Sequence, residues 1–276
     1  MELTAEEFRF KNPDTQRDLV LPIKLVNTET SQKTLENFRH NIKLDIPWLN
    51  ESEAHGGTAI ICGASPSLRT RFHRLNGDVF ACNRAAEVLR EADVKPKYQV
   101  LMDALEETIL DVSDNAEQHL ISSIVSPKLH TKLKNPIIWH PLIDWIVKEL
   151  DGADREFMFI GGGITVTNSA ICIAYIMGYR KIIVLGVDSS FVDDKFYSYQ
   201  ANAQSDRLFV DVEVNGKSFK TSYDMKQQVV VMLKLVQMLR DLGCSIEIDS
   251  DGLMGEAYKS MEIQHKTCEN QPTTTT

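Results

Sequence analysis

The stretch FMFIGGGITVTNSAICIAYIMGYRKIIVLGVDSS, residues 157–190, decides the fold. From Phe157 to Tyr179 it carries no charge. A bilayer span of that length would not carry Gly161, Gly162, Gly163, Thr165, Thr167, Asn168 and Ser169 within it. The pattern predicts instead a short strand at 157–160, a glycine turn, a buried helix at 165–178 and a second strand at 181–188. No membrane span is expected.

The same alternation runs outward on both sides. TAIICGA (58–64), DVFACN (78–83), YQVLMD (98–103), SSIVSP (122–127), PIIWHP (136–141) and SIEID (245–249) read as further strands. Near-continuous apolar runs mark strands buried on both faces. Helices are predicted at 66–75, 84–92 and 222–242, the last with Met225, Val229, Met232, Leu233, Val236 and Leu239 at helical spacing. Alternation of this kind predicts an α/β protein with a doubly wound, mostly parallel, Rossmann-like sheet.

Residues 189–221 interrupt the alternation and read as a lid insertion after the strand ending at Asp188. Within it, VEVNGKSF (212–219) sets Asn215-Gly216 between two alternating runs, a hairpin signal. Residues 1–56 read as an N-terminal extension packed on the main domain, with a short helix at 31–42. The catalytic domain is expected at 57–260, and a disordered tail at 261–276, which ends QPTTTT.

Thirty Lys+Arg against 39 Asp+Glu give a formal charge of −9. That opposes nucleic acid or an anionic membrane as the main partner, since both reward clustered positive charge. The five cysteines, Cys62, Cys82, Cys172, Cys244 and Cys268, form no metal-ligand spacing. They read as reduced thiols, and no metal site is expected. MELTAEEFRF lacks the apolar run of a secretory signal, so a cytoplasmic protein is expected.

Open parallel sheets bind ligands at the carboxyl ends of their strands, and five of these ends are unusual. Gly63-Ala64-Ser65-Pro66-Ser67 follows the first strand. Ser65 suits a helix cap and Pro66 the first helical position, which would leave backbone N–H groups facing an anion. A plain strand-turn-helix explains the same residues. Asn83 ends the second strand and suits either a ribose or base edge, or a turn that caps the next helix. Asp103 ends the third and suits a metal, a ribose, a substrate hydroxyl or a cap. Gly161-Gly162-Gly163 and Thr165 allow backbone to approach a ligand closely, or make a tight turn beneath a buried helix. Asp188 ends the seventh strand directly before the insertion.

On these motifs the chain resembles a known superfamily. ICGASPSL (61–68), ACNRA (81–85), residues 161–191 and NGKSFKTSYDM (215–225) are similar in order and spacing to one group, over Thr58 to Gly255. It holds bacterial CMP-sialic-acid-dependent sialyltransferases, flagellin motility accessory factors and archaeal 6-hydroxymethylpterin diphosphokinases. The diphosphokinases carry Ala-Asp-Gly-Ala and Thr-Asp-Leu-Asp-Gly motifs. This chain has Ala81-Cys82-Asn83-Arg84-Ala85 and Leu101-Met102-Asp103-Ala104-Leu105 there. Cys82-Asn83 is similar to the Cys-Asn of the sialyltransferases.

The resemblance implies a glycosyltransferase with a nucleotide-sugar donor, CMP-linked, and an acceptor it does not identify. It implies nucleotide contacts from Gly63, Ala64, Ser65, Pro66, Ser67, Asn83, Asp103, Gly162, Gly163, Thr165 and Asp188. It places Asp188 and Tyr197 in catalysis, Tyr197 as a donor to the departing phosphate. The lid histidine that serves the sialyltransferases as base has no counterpart between His140 and His265, which leaves Asp188, Asp193, Asp194, Asp206 or His140 for that role. A homo-oligomer is implied. No resident cofactor is expected under this reading. Two alternatives stand beside it: an ATP-dependent diphosphokinase using Mg²⁺, and a nucleotide-binding protein without turnover.

Overall fold

The computed structural model describes residues 8–11, 18–21, 32–152, 158–162, 165–191 and 209–269. The chain opens with an antiparallel pair, β1 (Phe8–Lys11) and β2 (Asp18–Leu21), followed by α1 (Gln32–Asn41). The main body runs β3 (His55–Cys62), β4 (Asp78–Cys82), α2 (Ala85–Glu91), β5 (Tyr98–Leu101), β6 (Gln118–Ser122), β7 (Ile137–Pro141) and α3 (Asp144–Leu150). It continues with β8 (Phe159–Ile160), α4 (Val166–Ile176), β9 (Tyr179–Leu185), a hairpin of β10 (Phe209–Val214) and β11 (Lys217–Ser222), α5 (Tyr223–Asp241), β12 (Ser245–Asp249) and α6 (Gly252–Glu269).

Eight strands form one sheet in the order β12-β9-β3-β4-β5-β6-β7-β8, and every pairing is parallel. The chain starts at β3, moves outward to β8, and returns through α4 to β9 on the other side of β3. The winding direction therefore reverses between β3 and β9. The expected doubly wound α/β sheet is present.

Side chains alternate between the faces as a period of two requires. Ala59 and Ile61 of β3, Phe80 and Cys82 of β4 and Ile182 and Val184 of β9 join α4, α5 and α6 in one core. Ile60 and Cys62, Val79 and Ala81, and Leu185 join α2 and the turns after β3 in another. Each such aliphatic side chain contributes about 1.5–3 kcal/mol by leaving water. Cys62, Cys82, Cys172 and Cys244 are buried, unbridged thiols; burial pushes Cys82 and Cys172 up to about 12.

Three expectations need correction. The fourth strand is Gln118–Ser122, upstream of 122–127, because polar Gln118 and His119 enter the sheet. His119 is fully buried, its Nδ1 accepting from Lys134 N–H at 2.8 Å and its Nε2–H donating to the Ser113 carbonyl at 3.1 Å. The helix expected at 66–75 is two 3₁₀ turns, Pro66–Thr70 and Phe72–Arg74. The strand at 157–160 shrinks to two residues. α6 extends into the tail, helical through Glu269.

α1 and the residues after it pack against the main body. Phe38 is fully buried against the Ile146 and Leu150 of α3. Trp48 pairs with Ile138, and Leu49 N–H donates to the Ile138 carbonyl at 2.7 Å.

Candidate functional site

Asn37 of α1 donates to the carbonyls of Ala104 and Ile124, and Asn41 to those of Ser123 and Val125. α1 therefore covers the carboxyl ends around β5 and β6. The switch point between β3 and β9 lies two strands away from that cover, and the unusual residues gather around it.

At this point two backbones nearly touch. A Cβ on Gly63 would lie 2.4 Å from the Gly186 carbonyl oxygen, and one on Gly186 would lie 2.6 Å from that of Gly63. Gly186 also holds φ at 66°, a left-handed value. The contact draws the turn after β3 onto the turn after β9. Gly63 N–H donates to the Leu185 carbonyl at 2.8 Å, and Ser65 N–H to that of Gly186 at 3.0 Å.

Asp188 follows and is fully buried. Its carboxylate accepts from Ser67 N–H at 3.1 Å, from the Ser67 hydroxyl, and from Asp251 N–H at 3.2 Å. Burial raises its pKa, with the Ser67 bonds opposing and the nearby Asp251 adding to the rise. This changes the reading of Gly63–Ser67. The N–H groups of Gly63, Ser65, Ser67 and Leu68 all bond within the protein, and Pro66 has none. With no α-helix there, the backbone does not offer the open helix end that the sequence suggested. Asp188 stands behind the turn and fixes it.

A guanidinium clamp holds the turn from outside. Arg71 bonds Asp249 at 3.1 Å and both oxygens of Asp251 at 2.9 and 2.6 Å. Arg74 bonds Asp249 at 2.8 Å and Glu247 at 3.0 Å. These carboxylates sit on β12 and the turn after it, whose Ser250 hydroxyl accepts from Val187 N–H at 2.7 Å.

Across the crevice, Asn83 takes the left-handed region with φ 47°. Its amide nitrogen donates to Asp103 Oδ2 at 3.0 Å, while its Oδ1 is buried without a partner. Gln99, fully buried on β5, donates to the Asn83 carbonyl at 2.9 Å and the Asp111 carbonyl at 2.6 Å, and accepts from Ser113 N–H. Asp111 pairs with Arg84 at 3.1 Å. Burial and the neighbouring Asp103 push Asp111 up to about 6 against the pull of Arg84. Asp103 also shifts upward: the protein around its carboxylate raises it, though the residue is open at the rim, and Asn83 opposes.

Thr165 caps α4, its hydroxyl accepting from Asn168 N–H at 3.4 Å and from Gln228 Nε2 at 3.3 Å. Gln228 Oε1 in turn accepts from Ser189 Oγ at 3.4 Å. The residues after β9 and the first turn of α4 are thus joined through α5. Asn168 is fully buried and neither atom of its amide is paired, which costs about 1–3 kcal/mol. Gly162 has φ 141°, and a Cβ there would lie 2.5 Å from Ser169 N.

The structure brings together Gly63, Ala64, Ser65, Pro66, Ser67, Asn83, Asp103, Gly162, Thr165 and Asp188 at the carboxyl edge. Gly163, Tyr197, Asp193, Asp194 and Asp206 lie outside the described residues. His140 is structural, 2% exposed and 4.5 Å from the Trp48 ring centre. Lys217 is tied to Glu256 at 2.7 Å, and Lys220 lies over the rings of Phe191 and Phe209. Sequence reading missed Gln99, Gln228, Asn168, Arg71 and the Arg84–Asp111 pair. Among the described residues no helix is long and apolar enough to cross a membrane, and no three His, Cys, Asp or Glu gather as metal ligands.

A family model described as 6-hydroxymethylpterin diphosphokinase MptE-like matches residues 32–194, more than half of the chain. The chain belongs to this family. Its matched region runs from α1 through the switch point and Asp188. No curated protein matches. Among solved structures the chain is similar to the MAf glycosyltransferase from Magnetospirillum magneticum AMB-1, with TM-score 0.63 and 16% identity. The likeness covers 81% of this chain and 37% of that one, so this chain spans well under half of that protein's length. At this identity the likeness shows a shared fold.

Proposed function

We propose that this member of the MptE-like family is a glycosyltransferase that binds a nucleotide sugar, CMP-linked, at the β3/β9 switch point. One observation carries the reading: the ends of β3, β4 and β9 and the first turn of α4 converge on one crevice. The MAf neighbour, a glycosyltransferase that shares the fold, supports it. Glycosyl transfer through an oxocarbenium-like transition state puts negative charge on the departing phosphate, and donors aimed there supply most of the stabilisation. Ser65 and Ala64 would face the phosphate, with Ser67 and Asp188 holding their turn in place. Asn83 would contact the ribose through its unpaired Oδ1. Thr165, Gly162 and Gly163 would approach the nucleoside, where the unpaired Asn168 amide offers a donor and an acceptor. Tyr197 would donate to the leaving phosphate, as the superfamily resemblance implies.

A second reading, pyrophosphoryl transfer from ATP with Mg²⁺, is favoured by the family's description and by the closeness of Asp103 and Asp111. Thermal-shift titration with CMP, CDP, UDP, ADP and ATP, each with and without Mg²⁺, separates them. A ligand that binds only the folded chain raises stability as RT ln(1 + [L]/Kd). Metal-independent stabilisation by CMP supports the transferase. Stabilisation by ATP only with Mg²⁺ sinks it in favour of the second reading.

A further inference from the structure

Glycosyl transfer needs a group to take the acceptor's proton, and the described residues narrow the choice. Asp188 is fully buried and accepts three hydrogen bonds. His140 is enclosed by Trp48, Phe38 and Phe159. The Asp111 carboxylate is engaged by Arg84.

Asp103 differs from all three. It stands exposed at the end of β5. One oxygen is anchored by the Asn83 amide at 3.0 Å, and no described residue bonds the other. Its anchor is itself rigid. Asn83 N–H donates to the Val100 carbonyl at 3.0 Å, and the Asn83 carbonyl accepts from buried Gln99. The Asn83 bond restrains the carboxylate through one oxygen and leaves the other without a bond from any described residue. Strands lie about 4.8 Å apart, so the ends of β3 and β5 are separated by roughly 9–10 Å. That span accommodates a sugar ring between a phosphate at β3 and a base at β5.

We propose that Asp103 is the general base that receives the acceptor's hydroxyl proton, with Asn83 as its positioning residue. The assignment rests on the glycosyltransferase reading above. The acceptor oxygen bonds the anomeric carbon as that carbon's bond to the phosphate oxygen breaks. The electron pair leaves with the nucleotide phosphate, and the proton passes to the open oxygen of Asp103. The charged group that interacts with it is Asp111, which in turn has Arg84 and Glu87 beside it. The upward shift of Asp103 strengthens it as a proton acceptor.

The test uses the full chain, with CMP-sialic acid and a UDP-hexose as probes, water as acceptor and nucleotide release as readout. Asp103→Asn should keep CMP-induced thermal stabilisation and lose release about 10²–10⁴-fold, the range for a lost general base. The acidic limb of the pH profile should vanish. Added formate should restore part of the activity to Asp103→Ala, which a merely structural role would not allow. A wild type that releases nucleotide alongside an equally active Asp103→Asn overturns the assignment and leaves the transferase standing. A wild type that neither binds CMP nor releases nucleotide from either probe overturns the transferase reading, and the assignment falls with it. Stabilisation by Mg²⁺ and ATP that Asp103→Asn abolishes makes Asp103 a metal ligand and also overturns it.

Discussion

At the residue scale, the site is built from polar groups that burial has made consequential. Asp111 shows this most directly. Its folded-state pKa of about 6 stands above the ordinary carboxylate value of 3.8. Between those two values the folded chain holds a proton that the unfolded chain has released. Stability therefore falls as pH rises from about 4 through about 6, by on the order of 2–3 kcal/mol, and levels off above. Asp111→Asn should flatten that part of the stability profile, measured by urea unfolding at pH 4.5, 5.5 and 7. An unchanged slope would mean that Asp111 ionises normally. Asp188 is the complementary case, a buried carboxylate whose value lies in its three donors. Asp188→Ala strands the N–H groups of Ser67 and Asp251 as well as the Ser67 hydroxyl. Stranded buried donors cost about 1–3 kcal/mol each. The melting temperature should fall sharply, and amide exchange at Ser67 should accelerate before exchange in β4 or β5 does.

At the scale of elements, the strand order follows from runs that the sequence displays openly. β3, β4, β7 and β9 carry apolar runs, β12 alternates Ile246 and Ile248 with polar residues, and the Asn215-Gly216 hairpin forms with both residues left-handed, at φ 51° and 73°. β6 was hidden because Gln118 and His119 look polar. Their polar character is met in the fold from elsewhere: the Lys134 N–H and the Ser113 carbonyl that satisfy His119 lie 15 and 6 residues away. The 66–75 segment has helical composition, yet Asp188 and the Arg71 clamp hold it as two 3₁₀ turns. The strand ends Gly63, Asn83, Asp103 and Asp188 were legible as a set, because a parallel sheet delivers its strand ends to one edge. What each side chain bonds was not legible: Ser67 meets Asp188 across 121 residues, and Arg71 meets Asp251 across 180. No local pattern encodes such pairs. The β3–β9 junction yields its own prediction. Gly63→Ala sets a Cβ 2.4 Å from a backbone oxygen that has no side-chain freedom to yield. The strand ends must part, and the variant should lose several kcal/mol, within the range of overpacked cores. A melting temperature equal to wild type would show that the two turns separate easily.

At the scale of the molecule, the N-terminal segment ties itself to the sheet. Read along the chain, residues 1–56 are an extension packed on the main domain. In space, α1 places Phe38 among the side chains of α3 and spends Asn37 and Asn41 on four carbonyls beyond β5 and β6. Those carbonyls would otherwise need water or a ligand. α1 thereby closes one part of the carboxyl edge and leaves the crevice at β3 and β9, with Asp103 on its rim. The consequence is cooperative folding of α1 with the sheet. Phe38→Ala removes a fully buried aromatic ring, a change worth about 3–5 kcal/mol in a packed core. For a chain of this size about 2–4 °C of melting temperature accompanies each kcal/mol. The expected drop is therefore roughly 10 °C, comparable with that of Ile61→Ala at the centre of the sheet. Calorimetry should show one transition in both variants. An early transition that belongs to α1 alone, with the main transition unmoved, would make the segment an independent appendage. The crevice would then be bounded on that side by something less than the fold itself.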